Sequence, residues 1–257
     1  MRRPKKQQPK PELSELSEKE FLEAYDPSAF ERPSVTVDVA LLSVVDGALF
    51  TLLVQRAEHP FKGKWSLPGG FVRLDESLDA AARRVLAAKG ALDGVFLEQL
   101  YSFGDPQRDP RMRVITVAYY ALVDRRRFEA ATRDDLVIGR IDVPWEGETG
   151  GAVDVLLERD GKTADLAFDH AEILGTAVKR IRGKLDYTPI GFQLLGDTFT
   201  LLELQRVHET VLGRPLNKDS FRRRMLASGQ LESAGEMQRH VDHRPAELYR
   251  FTKRGAV

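Results

Sequence analysis

The run FKGKWSLPGGFVRLDESLDAAARRVLAAKGAL, Phe61 to Leu92, limits the possible folds more than any other stretch of the chain. It leads a glycine-proline loop into a helix expected from about Glu76 to Lys89, with Gly90 as its C-terminal stop. Before it lie SVTVDVALLSVV and ALFTLLVQR, β-branched and aliphatic runs joined through Asp46-Gly47 as in a hairpin. After it come VFLEQLYSF and RVITVAYYALV, two further strand candidates. Strands flanking a helix in this order suit an α/β/α sandwich. The helix is unusual in its charge, because no acidic residue stands between Asp79 and Asp93.

That stretch resembles the Nudix box, written as G, five residues, E, seven residues, then R-E-U-x-E-E-x-G-U with U aliphatic. Gly70, Glu76 and Arg84 hold the right spacings and Leu86 and Leu92 the aliphatic positions. The three later glutamates are replaced by Val85, Ala88 and Lys89, and the last glycine by Ala91. Residues at i, i+3 and i+4 share one helical face, where three carboxylates hold a hard divalent cation against a diphosphate. Here that face is apolar with one positive charge. Asp75, Glu76 and Asp79 read either as a displaced metal cluster or, more plainly, as acids complementing a helix start.

A chain of 257 residues with 42% hydrophobic content has room for one large domain or two ordinary ones. Without cysteine it has neither disulfides nor thiolate metal sites, which suits a cytoplasmic setting. Met1 to Gln8 lacks an apolar signal core, and no apolar run approaches the roughly 18 residues of a membrane helix, so no membrane role is expected. Lysine plus arginine (39) equals aspartate plus glutamate (39), so any affinity for nucleic acid must come from a local patch.

Residues 1–16 read as a flexible tail whose MRRPKK start is basic, and Ser17 with Glu20 forms a capping box for a short helix through EKEFLEAY. Beyond the sandwich strands, VIGRIDVPW and AVDVLLE suggest more strands, with an Asp160-Gly161 turn and a loop at EGETGG. Asp169 is expected to cap a helix from His170 to about Arg182, and GKLDYTP after it reads as a linker.

The last 70 or so residues change character. Thr200 and Glu203 form another capping box, and Leu201, Leu204, Val207 and Val211 mark the apolar face of a helix that ends at Gly213. Asn217 is placed to cap a second helix, KDSFRRRMLAS. In it Phe221 and Met225 face inward and Arg222, Arg223 and Arg224 fan outward, Arg223 most directly. LESAGEMQRHVDHRPAELYRF then reads as two strands, Leu231 and Leu248 inward, with His240, His243 and Arg244 near the tip. Two helices, a short turn and a basic hairpin are the plan of a winged helix-turn-helix. Arginines on such a helix also serve plain solubility; the cap, turn, helix and hairpin together favour DNA.

Both halves in this order resemble the Nudix-related transcriptional regulators of NAD metabolism, the NrtR type. The similar stretches are YDPSAFERPSVTVDVALL, RAEHPFKGKWSLPGGFV, SFGDPQRDPRMRVITVAYYALV, LAFDHAEILGTAVKRIRGKLDYTPIGFQLL, FTLLELQRVHETVLGRPLNKDSFRRRM and RPAELYRF. The resemblance implies an α+β chain with a Nudix α/β/α sandwich over 17–183 and a winged helix-turn-helix over 184–257. It further implies a homodimeric repressor of NAD biosynthesis or salvage genes that binds a palindromic double-stranded operator. The effector would be ADP-ribose or a related NAD-derived nucleotide, and no cofactor is required. A Nudix-type diphosphate hydrolase with an atypical metal site is the alternative, and an inert scaffold explains neither basic helix nor wing.

With no catalytic or metal-ligating set assigned, diphosphate recognition must rest on cations and backbone donors. Arg56, Arg73, Arg108 and Arg111 are the candidates, with Gly69 and Gly70 allowing close backbone approach and Phe71 or Phe103 stacking on adenine. Arg108 and Arg111 flank Asp109, with which either can pair, and Lys89 stands where a metal ligand would be. His170, at a helix start, reads as a structural histidine. For DNA the candidates are Arg214, Asn217, Lys218, Arg222, Arg223, Arg224, His243 and Arg244.

Overall fold

The computed structural model describes residues 17–90, 94–130, 135–185, 187–239 and 244–252. The basic tail, Ala91, Leu92, His240, His243 and the side chain of Lys89 lie outside what is described. The segment up to Pro33 is a unit of its own. In it Ser17 and Glu20 form the expected capping box, each accepting the other's backbone N–H, at the start of helix α1 (Glu18–Ala24).

From Ser34 onward the chain builds a mixed sheet, eight-stranded among the described residues: β1 (Ser34–Val45), β2 (Ala48–Gln55), β3 (Trp65–Ser66), β4 (Gly69–Phe71), β5 (Phe96–Phe103), β6 (Val114–Leu122), β7 (Leu136–Asp142) and β8 (Asp154–Leu157). The order is β5-β6-β1-β2-β7-β8, with β3 on β2 and β4 on β1. β1 and β6 run parallel at the centre and the other pairs are antiparallel. Alternation sorts the side chains of β1 onto two cores. Val37, Val39 and Leu41 pack on helix α2 (Leu78–Gly90) through Ala81, Ala82, Val85 and Leu86, whereas Ala40 and Leu42 pack on helix α4 (His170–Lys184) through Ile173, Leu174, Ala177 and Val178. Covered on both faces, the strand reads as a nearly unbroken apolar run. Each fully buried Leu or Val contributes about 1.5–3 kcal/mol.

Several boundaries differ from expectation for local reasons. Helix α2 starts at Leu78, with the Ser77 hydroxyl accepting from the Ala80 N–H, because Glu76 is drawn away to Arg84 and to the Arg73 N–H. A short helix α3 (Arg125–Ala130) was not anticipated. Its signal was Asp124, whose carboxylate accepts from the Arg126 and Arg127 N–H groups, and its Phe128 is buried against the α2-side core. Asp169 occupies the position before α4 but makes no side-chain cap, since its carboxylate is taken by a distant arginine.

GKLDYTP is not a loose linker. Gly183 and Lys184 complete α4, and the following 3-10 turn Pro189–Leu194 is largely buried, Ile190 and Leu194 joining the α4-side core and Phe192 the next one. That third core assembles the C-terminal module from helix α5 (Leu201–Leu212), helix α6 (Lys218–Ala227) and the hairpin β9 (Leu231–Met237) and β10 (Glu247–Phe251). Thr200 and Glu203 form the capping box of α5, and Gly213 ends that helix in the left-handed region at φ 70°. Phe199, Leu204, Phe221, Met225 and Tyr249 fill its centre. Tyr249, not Leu248, is the buried side chain of β10, because Phe199 and Tyr249 exchange two backbone hydrogen bonds and fix that strand's orientation. Among the described residues no helix is long and apolar enough to cross a membrane.

Candidate functional site

A pocket of about 180 Å³ opens where β1 and β4 meet the start of α4. Six of the eight ligand candidates line it: Arg56, Gly69, Gly70, Phe71, Arg108 and Arg111. Gly69 has no substitute here, since a Cβ on it would stand 2.0 Å from Asp38 Oδ1. The two others are elsewhere. Arg73 is exposed beside the Glu76 turn, and Phe103 packs on the α4-side core with its ring 5.6 Å from Tyr101.

The floor of the pocket is a buried charge network. Arg108 donates through Nε to Asp169 Oδ2 at 2.8 Å and through Nη2 to Asp169 Oδ1 at 2.7 Å, a bidentate pair, and reaches Asp38 Oδ2 at 3.5 Å. His170, 2% exposed, accepts the Leu67 N–H through Nδ1 at 2.9 Å and turns Nε2 toward Asp38 Oδ1 at 3.7 Å. Burial holds its imidazole below the ordinary histidine range, so it is neutral and structural. Arg111 pairs with Asp109 at 2.8 Å and places its guanidinium 5.6 Å over Phe71. Arg56 makes no ion pair among the described residues. It donates to the Pro60 carbonyl at 2.7 Å and lies 4.8 Å over Phe168. Burial, and after it the charge of Arg111, pulls its pKa down. An anion between Arg56 and Arg111 relieves that repulsion.

Sequence reasoning missed Asp38 and Phe168 and misassigned Asp169. Phe168 sits at φ 55°, left-handed for a bulky residue, its ring 4.9 Å edge-on to Phe61. No local pattern announces such a conformation.

The residues present do not fit a divalent metal at the box. Val85 is 2% exposed within the α2-side core, and Ala88 offers a methyl group. Glu76 is committed to Arg84, whose hydrogen bonds hold its carboxyl at about 2, and Asp79 accepts from the Tyr119 hydroxyl at 2.6 Å. Among the described residues no group of three histidine or carboxylate side chains is placed to hold a metal ion.

A second surface lies on the C-terminal module. On α6 Phe221 and Met225 are buried, so Arg222, Arg223 and Arg224 are left exposed, with Arg214 and Lys218 exposed beside them. Asn217 is spent as the cap, accepting the Ser220 N–H at 3.0 Å. Arg224 lies 5.7 Å over the Phe221 ring, and Arg222 lies close enough to help lower the Glu247 carboxyl of the wing, after the Tyr249 and Ser233 hydrogen bonds. Arg223 has neither tie. Arg244 is exposed at the foot of β10.

Comparison with known proteins gives two family matches: residues 33–138 fit the NUDIX domain and residues 191–251 the NrtR DNA-binding winged helix domain. The chain is 40% identical over 237 residues, 91% of its own length and 88% of the relative's, to the "ADPR responsive transcriptional repressor NtrR" of Acinetobacter baylyi. It is 33% identical over 142 residues, 55% of its length and 71% of the relative's, to an ADP-ribose pyrophosphatase of Methanocaldococcus jannaschii. Among solved structures, Shewanella oneidensis NrtR complexed with a 27mer DNA superposes with TM-score 0.69 at 36% identity, covering 85% of this chain and 93% of that one.

Proposed function

Because the chain belongs to the NrtR family, we propose that it is a transcriptional repressor that binds a palindromic duplex operator as a homodimer and is released by ADP-ribose or a related NAD-derived nucleotide. The controlled genes are those of NAD biosynthesis or salvage. The observation that carries this reading is the 40% identity to an ADPR-responsive repressor across both halves in the same order. The chemistry agrees with it. Arg56 and Arg111 flank a pocket beside the glycine strand, where a diphosphate gains charge-assisted hydrogen bonds and Phe71 and Phe168 offer ring faces to a base. Arg222, Arg223 and Arg224 stand on an exposed helix of the kind that enters a major groove.

The likeness to a pyrophosphatase supports a second reading, hydrolysis of ADP-ribose. Against it stand Val85 and Ala88, which provide no hard oxygen ligand. One set of measurements separates the two. Selection from a random duplex pool is expected to enrich an inverted repeat, ADP-ribose to weaken its binding, and Mg2+ or Mn2+ to yield no AMP above background. Failure to enrich any sequence overturns the repressor reading, and metal-dependent release of AMP overturns the non-catalytic one.

A further inference from the structure

Helix α4 has one end in the pocket and the other against the DNA-reading module. At its start Asp169 and His170 belong to the Arg108 network. About 18 Å farther on, twelve residues along the helix, Arg182 is 6% exposed. Its Nε donates to the Val211 carbonyl at 2.7 Å and its Nη1 to the Trp145 and Gly147 carbonyls at 3.2 and 2.9 Å. The guanidinium lies 4.7 Å over the Trp145 ring, and Nη2 is 3.2 Å from where a Cβ on Gly213 would stand. No carboxylate pairs with it among the described residues; the charge rests on carbonyls, one of them in the last turn of α5, at the negative end of that helix. Beside it Val207 and Val211 of α5 are buried in the α4-side core, and beyond that seam the two halves border an open cleft of about 1000 Å³, with Asp46, Gly47 and Arg126 on one wall and Glu203, Arg206 and Thr210 of α5 on the other. The module is therefore held along one seam, through Val207, Val211 and the Arg182 hydrogen bonds, and borders open space on the cleft side.

We propose that α4 transmits the effector signal, with Arg182 as the positioning residue that ties the first helix of the DNA-reading module to it. The inference rests on the effector reading of the pocket. The input is the Arg108–Asp169 pair. Asp169 stands where an aspartate ordinarily accepts N–H groups of its own helix, yet its carboxylate is turned to Arg108. An anionic ligand competes for the Arg108 guanidinium, and Asp169 then returns to the first turn of α4. The two arrangements of that turn are the states a ligand selects between. Arg182 passes the resulting displacement to Val211 and so to α5.

The test uses the full chain, ADP-ribose and the duplex enriched from a random pool. ADP-ribose affinity without DNA, DNA affinity without ligand, and DNA affinity at saturating ligand are measured for the unsubstituted protein and for Arg182→Met. The expected result is that the first two change by no more than about twofold, while the ligand effect on DNA falls from at least about fivefold to nearly one. An unchanged ligand effect in Arg182→Met overturns the inference alone. Absence of ADP-ribose binding, or of its effect on DNA, in the unsubstituted protein overturns the effector reading and this inference with it. If Arg182→Met does not fold, hydrogen exchange on the unsubstituted protein decides. ADP-ribose is expected to alter protection at Val211 to Arg214 and at Trp145 to Thr149, and unaltered exchange there overturns the proposal.

Discussion

His170 shows how one buried side chain sets a condition on the pocket. Its Nδ1 is the acceptor for the Leu67 N–H, a role only the neutral ring performs, and it is surrounded by Asp38, Asp169, Arg108 and Arg56. Burial lowers its folded pKa below the model-compound value of 6.5, outweighing the two carboxylates that raise it. Above about pH 6.5 both folded and unfolded chains carry the neutral ring, and the stabilisation is complete. As pH falls, the unfolded chain takes up a proton that the folded one refuses, so stability is lost until the pH has passed through the folded value. Urea unfolding between about pH 7.5 and about pH 5 is expected to show this loss with a slope of up to about 1.4 kcal/mol per pH unit. His170→Gln, whose amide oxygen accepts the same N–H without titrating, is expected to flatten it; an equal slope in both proteins would refute the assignment. At this scale the sequence was legible where a residue answers to its neighbours and not where it answers to distant chain. Arg111 pairs with Asp109 two positions away, as its spacing allowed. Arg108 pairs across 61 residues with Asp169 and across 70 with Asp38, separations that no spacing rule reaches.

At the scale of elements, periodicity and the two capping boxes were read directly from the sequence, whereas the cap expected of Asp169 does not form. Ser17 with Glu20 and Thr200 with Glu203 form both capping boxes, and Asp46-Gly47 turns the hairpin of β1 and β2. What escaped was tertiary override: GKLDYTP is polar enough to read as a linker, yet its Gly183 and Lys184 complete α4, and the 3-10 turn that begins at its Pro189 is buried by two cores at once through Ile190, Phe192 and Leu194. The recognition helix illustrates how an element assigns roles. Burial of Phe221 and Met225 fixes its rotation and leaves all three arginines exposed, Arg222 near enough to Glu247 of the wing to feel its charge, Arg224 over the Phe221 ring and Arg223 with neither tie. Arg223→Ala is therefore expected to cost about 1–3 kcal/mol on the enriched duplex and to relax its preference at one base pair. Arg222→Ala is expected to weaken all duplexes alike and to reduce the salt slope by about one, as a phosphate contact does. Anisotropy titrations over several salt concentrations distinguish the two. Equal losses on enriched and random duplex for Arg223→Ala would show that it touches phosphate instead.

For the whole molecule, balanced charge carried almost no information, because 39 cations cancel 39 anions while three consecutive arginines gather on one exposed helix. What matters at this scale is that the pocket and that helix belong to one chain and share one free-energy cycle. In the homodimer proposed above, a ligand weakens DNA binding by preferring the arrangement in which the two recognition helices no longer match adjacent half-sites. To weaken binding tenfold it must favour that arrangement by about 1.4 kcal/mol. The cycle then requires DNA to weaken the ligand by the same factor. Calorimetric titration of ADP-ribose into the protein, alone and saturated with the enriched duplex at one fixed salt concentration, is expected to give dissociation constants whose ratio equals the ligand's effect on DNA affinity. The fixed salt matters, since counterion release shifts DNA affinity on its own. Tight binding of ADP-ribose with the same constant in both titrations would leave the sandwich a nucleotide-binding domain and remove the switch, whatever the recognition helix does on DNA.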